Sequence, residues 1–326
     1  MKTGILSGAA IAAALIIAGT ASAPGARAEY PERPVTVVVP WGAGGGTDAT
    51  GRMIAKGLQD QLGVPVNVVN QTGGSGVVGH SAMATADPDG YTVGIATVEI
   101  GMLHWLGLTE LDHTAYTPIA LFNADPAGLS VASDSPYKSP QDVIAAIKAD
   151  PGKFKTSGSG QGGIWHLALA GWLSQNGIQQ ADAPYVPVKS AGDAYRDLAA
   201  GGVTFVTASI VEGGPMISAG RVRPLAVMAP ERLPAFPDVP TLKETTGSDW
   251  TMGAWRGVVA PKGLPDDIAA RLRKAVRAVY DSAEFKEFMD GRGFGMVWAE
   301  GDDYRDFMAR SDADLGAVMK TVGLAK

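Results

Sequence analysis

Hydrophobic positions fall along the chain in short β-branched runs that alternate with stretches of helical period. Residues 34–40, Pro-Val-Thr-Val-Val-Val-Pro, predict a strand. Residues 48–62 then carry helical spacing through Met53, Ile54, Gly57, Leu58 and Leu62. A second strand is predicted over 64–69, a helix over 77–86, a turn at Asp87-Pro88-Asp89-Gly90 and a third strand over 91–97. Strands separated by helices of this length indicate βαβ units and a mostly parallel sheet.

The middle of the chain repeats the theme. Strands are predicted over 128–132, 154–156, 185–188, 203–209 and 225–228, with helices over 139–149, 164–175 and 191–200 between them. A proline-studded stretch, 230–244, reads as an irregular connection. Residues 257–260 return to a strand, and 268–280, 283–291 and 301–322 are helical. Each half has a strand that runs into a glycine-rich loop before a helix, which suggests two α/β lobes facing one cleft.

Residues 1–28 stand apart from this pattern. One lysine, an apolar stretch over 11–19 and small residues ending in Ala26-Arg27-Ala28 form the pattern of a secretory leader, with cleavage expected after Ala28. The apolar stretch is shorter than a bilayer requires, and no later run is long enough. An exported, periplasmic protein is the expectation.

Composition narrows the classes. The 326 residues contain no cysteine, 18% charged and 46% hydrophobic residues, with a formal charge of −6. The leader holds Lys2 and Arg27 and no acid, so without it the charge is −8. No basic block marks a nucleic-acid surface. An exported chain without cysteine has no disulfide framework, so its stability rests on its core.

Four glycines in five residues follow the first strand: Gly42-Ala43-Gly44-Gly45-Gly46. A phosphate-binding P-loop would place Gly-Lys-Ser/Thr at the helix start, where Thr47-Asp48 stand instead, and the dinucleotide fingerprint fits only in its first half. What remains is a strand-to-helix loop whose amides meet a positive helix end, either an anion site or a tight turn with Asp48 as N-cap. The loop Ser157-Gly158-Ser159-Gly160-Gln161-Gly162-Gly163-Ile164-Trp165-His166 has the same context in the other half, which favours two amide-rich jaws on one small ligand. Enzyme motifs are lacking. Gly73-Gly74-Ser75-Gly76-Val77 is not a nucleophile elbow, and His80, His104, His113 and His166 show no compact metal spacing. No metal and no cofactor is expected.

Several segments resemble one family in order along the chain: Tyr30-Pro31-Glu32-Arg33-Pro34, Val39-Pro40-Trp41, Gly44-Gly45-Gly46-Thr47-Asp48, Ala86-Asp87-Pro88-Asp89-Gly90-Tyr91 and Tyr116-Thr117-Pro118-Ile119-Ala120. Asp150-Pro151-Gly152-Lys153, the loop 157–166, Gly220-Arg221-Val222-Arg223-Pro224-Leu225, Pro237-Asp238-Val239-Pro240-Thr241 and Trp255-Arg256-Gly257-Val258-Val259-Ala260-Pro261 continue it. Together these segments are similar to the Bug/TctC receptors of tripartite tricarboxylate transporters. The resemblance implies an α/β, two-lobed Venus-flytrap fold that closes on a small, carboxylate-bearing solute and presents it to a membrane permease. It implies lobes of 29–122 plus 255–326 and of 123–254, with hinges near Phe122 and Ala254, and a monomer. It further implies that the solute is held by Trp41, Gly44, Gly45, Gly46, Thr47 and Asp48 of the first loop. Ser157, Gly158, Ser159, Gly160, Gly163 and His166 of the second join them, with Ser209 at the end of a strand.

The departures from the family pattern bear on the ligand. Trp41 replaces the usual Phe, Gly163 a hydroxyl residue, Thr204 an Asp and Val188-Lys189-Ser190 a Tyr-Lys-Gly segment. Glu99 stands where small polar residues are usual and would repel a second carboxylate if it faces the cleft. Arg256, in a neutral residue's place, could meet a distal carboxylate or pair with Glu99. The reading is an extracytoplasmic solute receptor and not an enzyme. The alternatives are a periplasmic enzyme using Asp48 or His166, and a sensor for a membrane signalling protein.

Overall fold

The strands are β1 Val35–Val39, β2 Val66–Asn70, β3 Thr92–Thr97, β4 Tyr116–Pro126, β5 Gly128–Ala132, β6 Thr156–Ser157, β7 Phe205–Ala208, β8 Val222–Val227, β9 Gly253–Pro261 and β10 Met296–Glu300. The helices are α1 Gly46–Leu62, α2 Val77–Thr85, α3 Pro140–Ala149, α4 Ile164–Gln175, α5 Ala191–Ala199, α6 Gly214–Ser218, α7 Leu242–Thr246, α8 Asp266–Asp281, α9 Ala283–Arg292 and α10 Gly301–Thr321. This computed structural model describes residue 1 and residues 30–326, so the expected leader (Met1 aside) and its cleavage point lie outside the described residues.

Six strands form one sheet in the order β10-β4-β9-β3-β1-β2, and four form another, β6-β7-β5-β8. The expectation of mostly parallel sheets fails. β1 pairs in parallel with β2 and β3, and β6 with β7. The other pairings, β3 with β9, β9 with β4, β4 with β10 and β5 with both β7 and β8, are antiparallel. Parallel pairing follows where α1 and α2 carry the chain back to the start of the next strand. β4 and β9 instead join the first sheet to the second, and the chain returns through β9 in the opposite direction.

Local chemistry accounts for most elements. β1 is β-branched and buried between two neighbours. α3 opens on Ser139 with a reciprocal capping box to Asp142 and Pro140 in its first turn. α4 is buried from Ile164 to Leu173, as a helix apolar on every face must be. The predicted strand over 185–188 reduces to an isolated bridge between Thr156 and Tyr185, because the short β6 ends there and offers no longer edge. The proline-studded connection closes with α7, capped by Thr241 and Glu244.

The topology brings the functional segments together. The loops after β1, β3, β6 and β7 all leave carboxyl ends of strands that have parallel neighbours, the usual seat of ligands in α/β folds. β9 passes between β3 and β4 and carries Arg256 among them.

Candidate solute site between the two glycine loops

The first loop turns at once into α1. Gly45 is the N-cap, with extended backbone and no side-chain cap. The alternative in which Asp48 is the N-cap does not hold: Asp48 lies in the first turn and reaches back to accept the Gly44 N–H at 2.9 Å. Its carboxylate also meets Arg52 at 2.9 Å and Asn70 Nδ2 at 2.9 Å. Burial works against its charge, but these donors outweigh it and hold its carboxyl below the usual range. Asp48 thus braces the loop from behind.

The side of α1 that faces the second sheet receives a different carboxylate. Gly46 N–H donates to Glu212 Oε1 at 3.0 Å, across 166 residues of chain. A Cβ at position 46 would lie 2.3 Å from that oxygen, so only glycine admits the contact. Gly45 has a Ser190 Cβ at 2.9 Å from its own would-be Cβ. Gly42 N–H donates to the Lys189 carbonyl at 3.0 Å, so the loop is also held by the segment that leads into α5.

The second loop mirrors this arrangement. Ile164 N–H, at the start of α4, donates to Glu99 Oε1 at 3.1 Å. Glu99 sits in the 3-10 turn Val98–Gly101 after β3 and is 2% exposed. Its other oxygen accepts the Thr97 hydroxyl, whose oxygen accepts Trp41 Nε1–H at 3.2 Å. Burial pushes the Glu99 carboxyl up, against the pull of these hydrogen bonds. Two helix N-termini, one after a strand of each sheet, therefore each hold a carboxylate from a segment that follows a strand of the other sheet.

Arg256 occupies the centre at 1% exposure. Its Nη1 lies 2.6 Å from Asp125 Oδ2 and also donates to Asn123; its Nη2 lies 2.7 Å from Glu212, and its Nε donates to Thr47 at 3.0 Å. Its ion-pair partners are Asp125 and Glu212, not Glu99. Burial opposes its charge, yet Glu212 and Asp125 raise its pKa above the ordinary value. Burial likewise pushes Glu212 up, in spite of Arg256.

These groups enclose a chamber of about 20 Å³, room for one water, so a larger solute requires the jaws to part. Of the residues singled out in the sequence, Trp41, Gly45, Gly46, Thr47, Glu99, Ser159 and Arg256 line it. Ile164 and Trp165 of the second loop also do, as do Thr97, Ser190, Ala191, Glu212 and Ala254, which were not foreseen as contacts. Trp41 further lines an adjoining recess of about 220 Å³ bordered by residues 72–76, Gly160 and Lys189.

The remaining candidates do not line the chamber. Gly44 donates to Asp48, and Ser157 Oγ donates to the Val186 carbonyl at 2.7 Å. A Cβ on Gly158 would strike Trp165 and the Thr207 carbonyl, and one on Gly160 would strike Ser75. Gly163 is the N-cap of α4. Ser209 Oγ is buried without a partner, while its carbonyl accepts the Tyr195 hydroxyl at 3.1 Å.

His166 accepts the Gly162 N–H on Nδ1 at 3.0 Å and packs on Tyr185, ring centroids 4.4 Å apart. Burial lowers its pKa to about 4. His80 is lowered to about 4 in the same way, with Nδ1 against the Gly76 carbonyl and Nε2 accepting Thr97 N–H. NMR titration should therefore show both imidazoles neutral down to about pH 4. An unfolded chain takes up these protons near pH 6.5, so each imidazole lowers stability as pH falls from about 6.5 to about 4, by up to about 3 kcal/mol. Glu99 and Glu212, raised in the fold, work in the opposite sense. Midpoints near 6.5 would contradict the assignment.

Residues 50–324 match the family described as tripartite tricarboxylate transporter family receptor. The chain belongs to that family. A curated relative from Cupriavidus necator, the UPF0065 protein in the gbd 5' region, is 31% identical over 98% of this chain and 97% of its own. The periplasmic binding protein BugD superposes with a TM-score of 0.86 at 27% identity, over 91% of this chain and all (100%) of that one. An R. palustris protein determined with adipate superposes at 0.85 with 29% identity, over 91% and 99%. The receptor shares their two-lobed α/β fold, and its family is one of solute-binding receptors rather than enzymes. No helix among the described residues is long and apolar enough to cross a membrane.

The geometry also says which residues the sequence could not supply. Glu212 follows β7 in a Ser-Ile-Val-Glu-Gly-Gly-Pro stretch whose local pattern resembles any strand exit. Asn123 and Asp125 look like polar interruptions of an apolar run, although they are the cradle of Arg256.

Proposed function

We propose that this receptor is exported through a leader cut after Ala28, captures a small carboxylate-bearing solute in the chamber, and delivers it unaltered, as a monomer, to an integral-membrane permease. The lobes would comprise 29–122 plus 255–326 and 123–254, moving about crossings near Phe122 and Ala254. Trp41, Gly45, Gly46, Thr47, Glu99, Ser159 and Arg256 would contact the solute. Gly44, Asp48, Ser157, Gly158, Gly160, Gly163, His166 and Ser209 would shape the loops around it. The observation that carries this reading is that the first-turn amides of α1 and α4, Gly46 and Ile164, both hold carboxylates inside one chamber. The adipate-bound structural relative supports an acid as the solute class.

Thermal unfolding against a panel of organic acids and amino acids tests it. A bound solute at 100 times its dissociation constant should stabilise the receptor by about 2.7 kcal/mol and be recovered chemically unchanged. Trp41→Ala should weaken that binding about tenfold or more, through lost contact area, whereas Lys153→Ala on the surface should not. A panel without a single stabilising member, or turnover of the bound solute, would sink the reading.

A further inference from the structure

Three of the donors that could receive an incoming carboxylate are already engaged by the chain's own groups. Gly46 N–H serves Glu212, Ile164 N–H serves Glu99, and Arg256 serves Asp125, Asn123, Glu212 and Thr47. Two carboxylates, Asp125 and Glu212, thus share one guanidinium, and Glu99 brings a third buried acid to the chamber lining. Two polar atoms of chamber-lining residues are buried and have no partner: Glu212 Oε2 and Ser159 Oγ. The first is a carboxylate oxygen with nothing to accept from. A buried acceptor of this kind is satisfied by an N–H donor, best a charged one. A second carboxylate would face the negative charge that these acids bring to the chamber.

We propose that the solute carries an ammonium group together with a single carboxylate, and that Glu212, through its free oxygen, is the residue that selects it. This rests on the chamber being the solute site, as argued above. Ser159 Oγ supplies the neutral second contact, able to donate to the solute's single carboxylate or accept from its amine.

Charge exchange at constant chain length tests this. Binding to the full-length mature receptor is measured for 4-aminobutanoate, putrescine and succinate, and for 6-aminohexanoate, hexane-1,6-diamine and adipate. The amine-bearing members should bind more tightly than the dicarboxylate at one or both lengths. Glu212→Gln should weaken them about tenfold or more while leaving the dicarboxylate unchanged or improved. Tighter binding of succinate or adipate by the wild-type receptor would overturn the proposal and leave the solute-site reading intact. An amine affinity unmoved by Glu212→Gln would also overturn it. Binding of none of the six would overturn both. The wild-type rank order decides the matter even if Glu212→Gln folds poorly.

Discussion

Replacing Arg256 with methionine should cost the receptor about 3–5 kcal/mol of unfolding free energy. The guanidinium is 1% exposed and is the counter-charge of Asp125 and Glu212. Methionine fills much of the volume but leaves both carboxylates buried and uncompensated. Asp125 would keep only the Gly295 amide, at 2.8 Å, and Glu212 only that of Gly46. Urea unfolding measures the loss. Combining Arg256→Met with Asp125→Asn and Glu212→Gln should recover a large share of it, since the stranded charges are then gone. A single variant as stable as wild type would mean that the three groups are not coupled.

The neighbouring position carries the second large effect. A Cβ at Gly257 would stand 2.2 Å from the Tyr304 hydroxyl, 2.4 Å from its ring and 2.8 Å from the Ala120 carbonyl. Tyr304 is fully buried and its hydroxyl has no partner. Gly257→Ala should therefore cost about 3 kcal/mol, the upper end for overpacking, because ring and backbone must both give way. The displaced strand β9 carries Arg256, so solute binding should weaken as well. Pairing the change with Tyr304→Leu should restore part of the stability. An unchanged melting temperature for Gly257→Ala alone would show that α10 yields freely.

Much of the secondary structure was legible because it obeys local rules. β5 and α4 have the bounds that their apolar patterns predict, and α1 starts two residues earlier than its apolar period shows, at Gly46. β4 was not legible. Pro118, Asn123, Asp125 and Pro126 interrupt its pattern, and prolines argue against a strand. Its register slips between Pro118 and Ala120 and again between Leu121 and Asn123, which accommodates the irregular residues. β10 is a short edge strand with little apolar alternation.

The candidate site divides in the same way. Both glycine loops announce themselves, because a backbone that must come close to another group needs glycine wherever it occurs. Glu99, just after β3, and Arg256, on β9, stood out as departures from the family pattern, but their partners did not.

By itself the sequence determined two α/β halves, two amide-rich loops at helix starts and the family to which they belong. Only the tertiary structure decided which acids those loops face. Glu212 lies 166 residues from Gly46, Glu99 lies 65 from Ile164, and Asp125 lies 131 from Arg256. Local periodicity records which face of an element is buried, and not which distant charge will meet it there. That choice is made when the two sheets pack and every buried charge must find a partner.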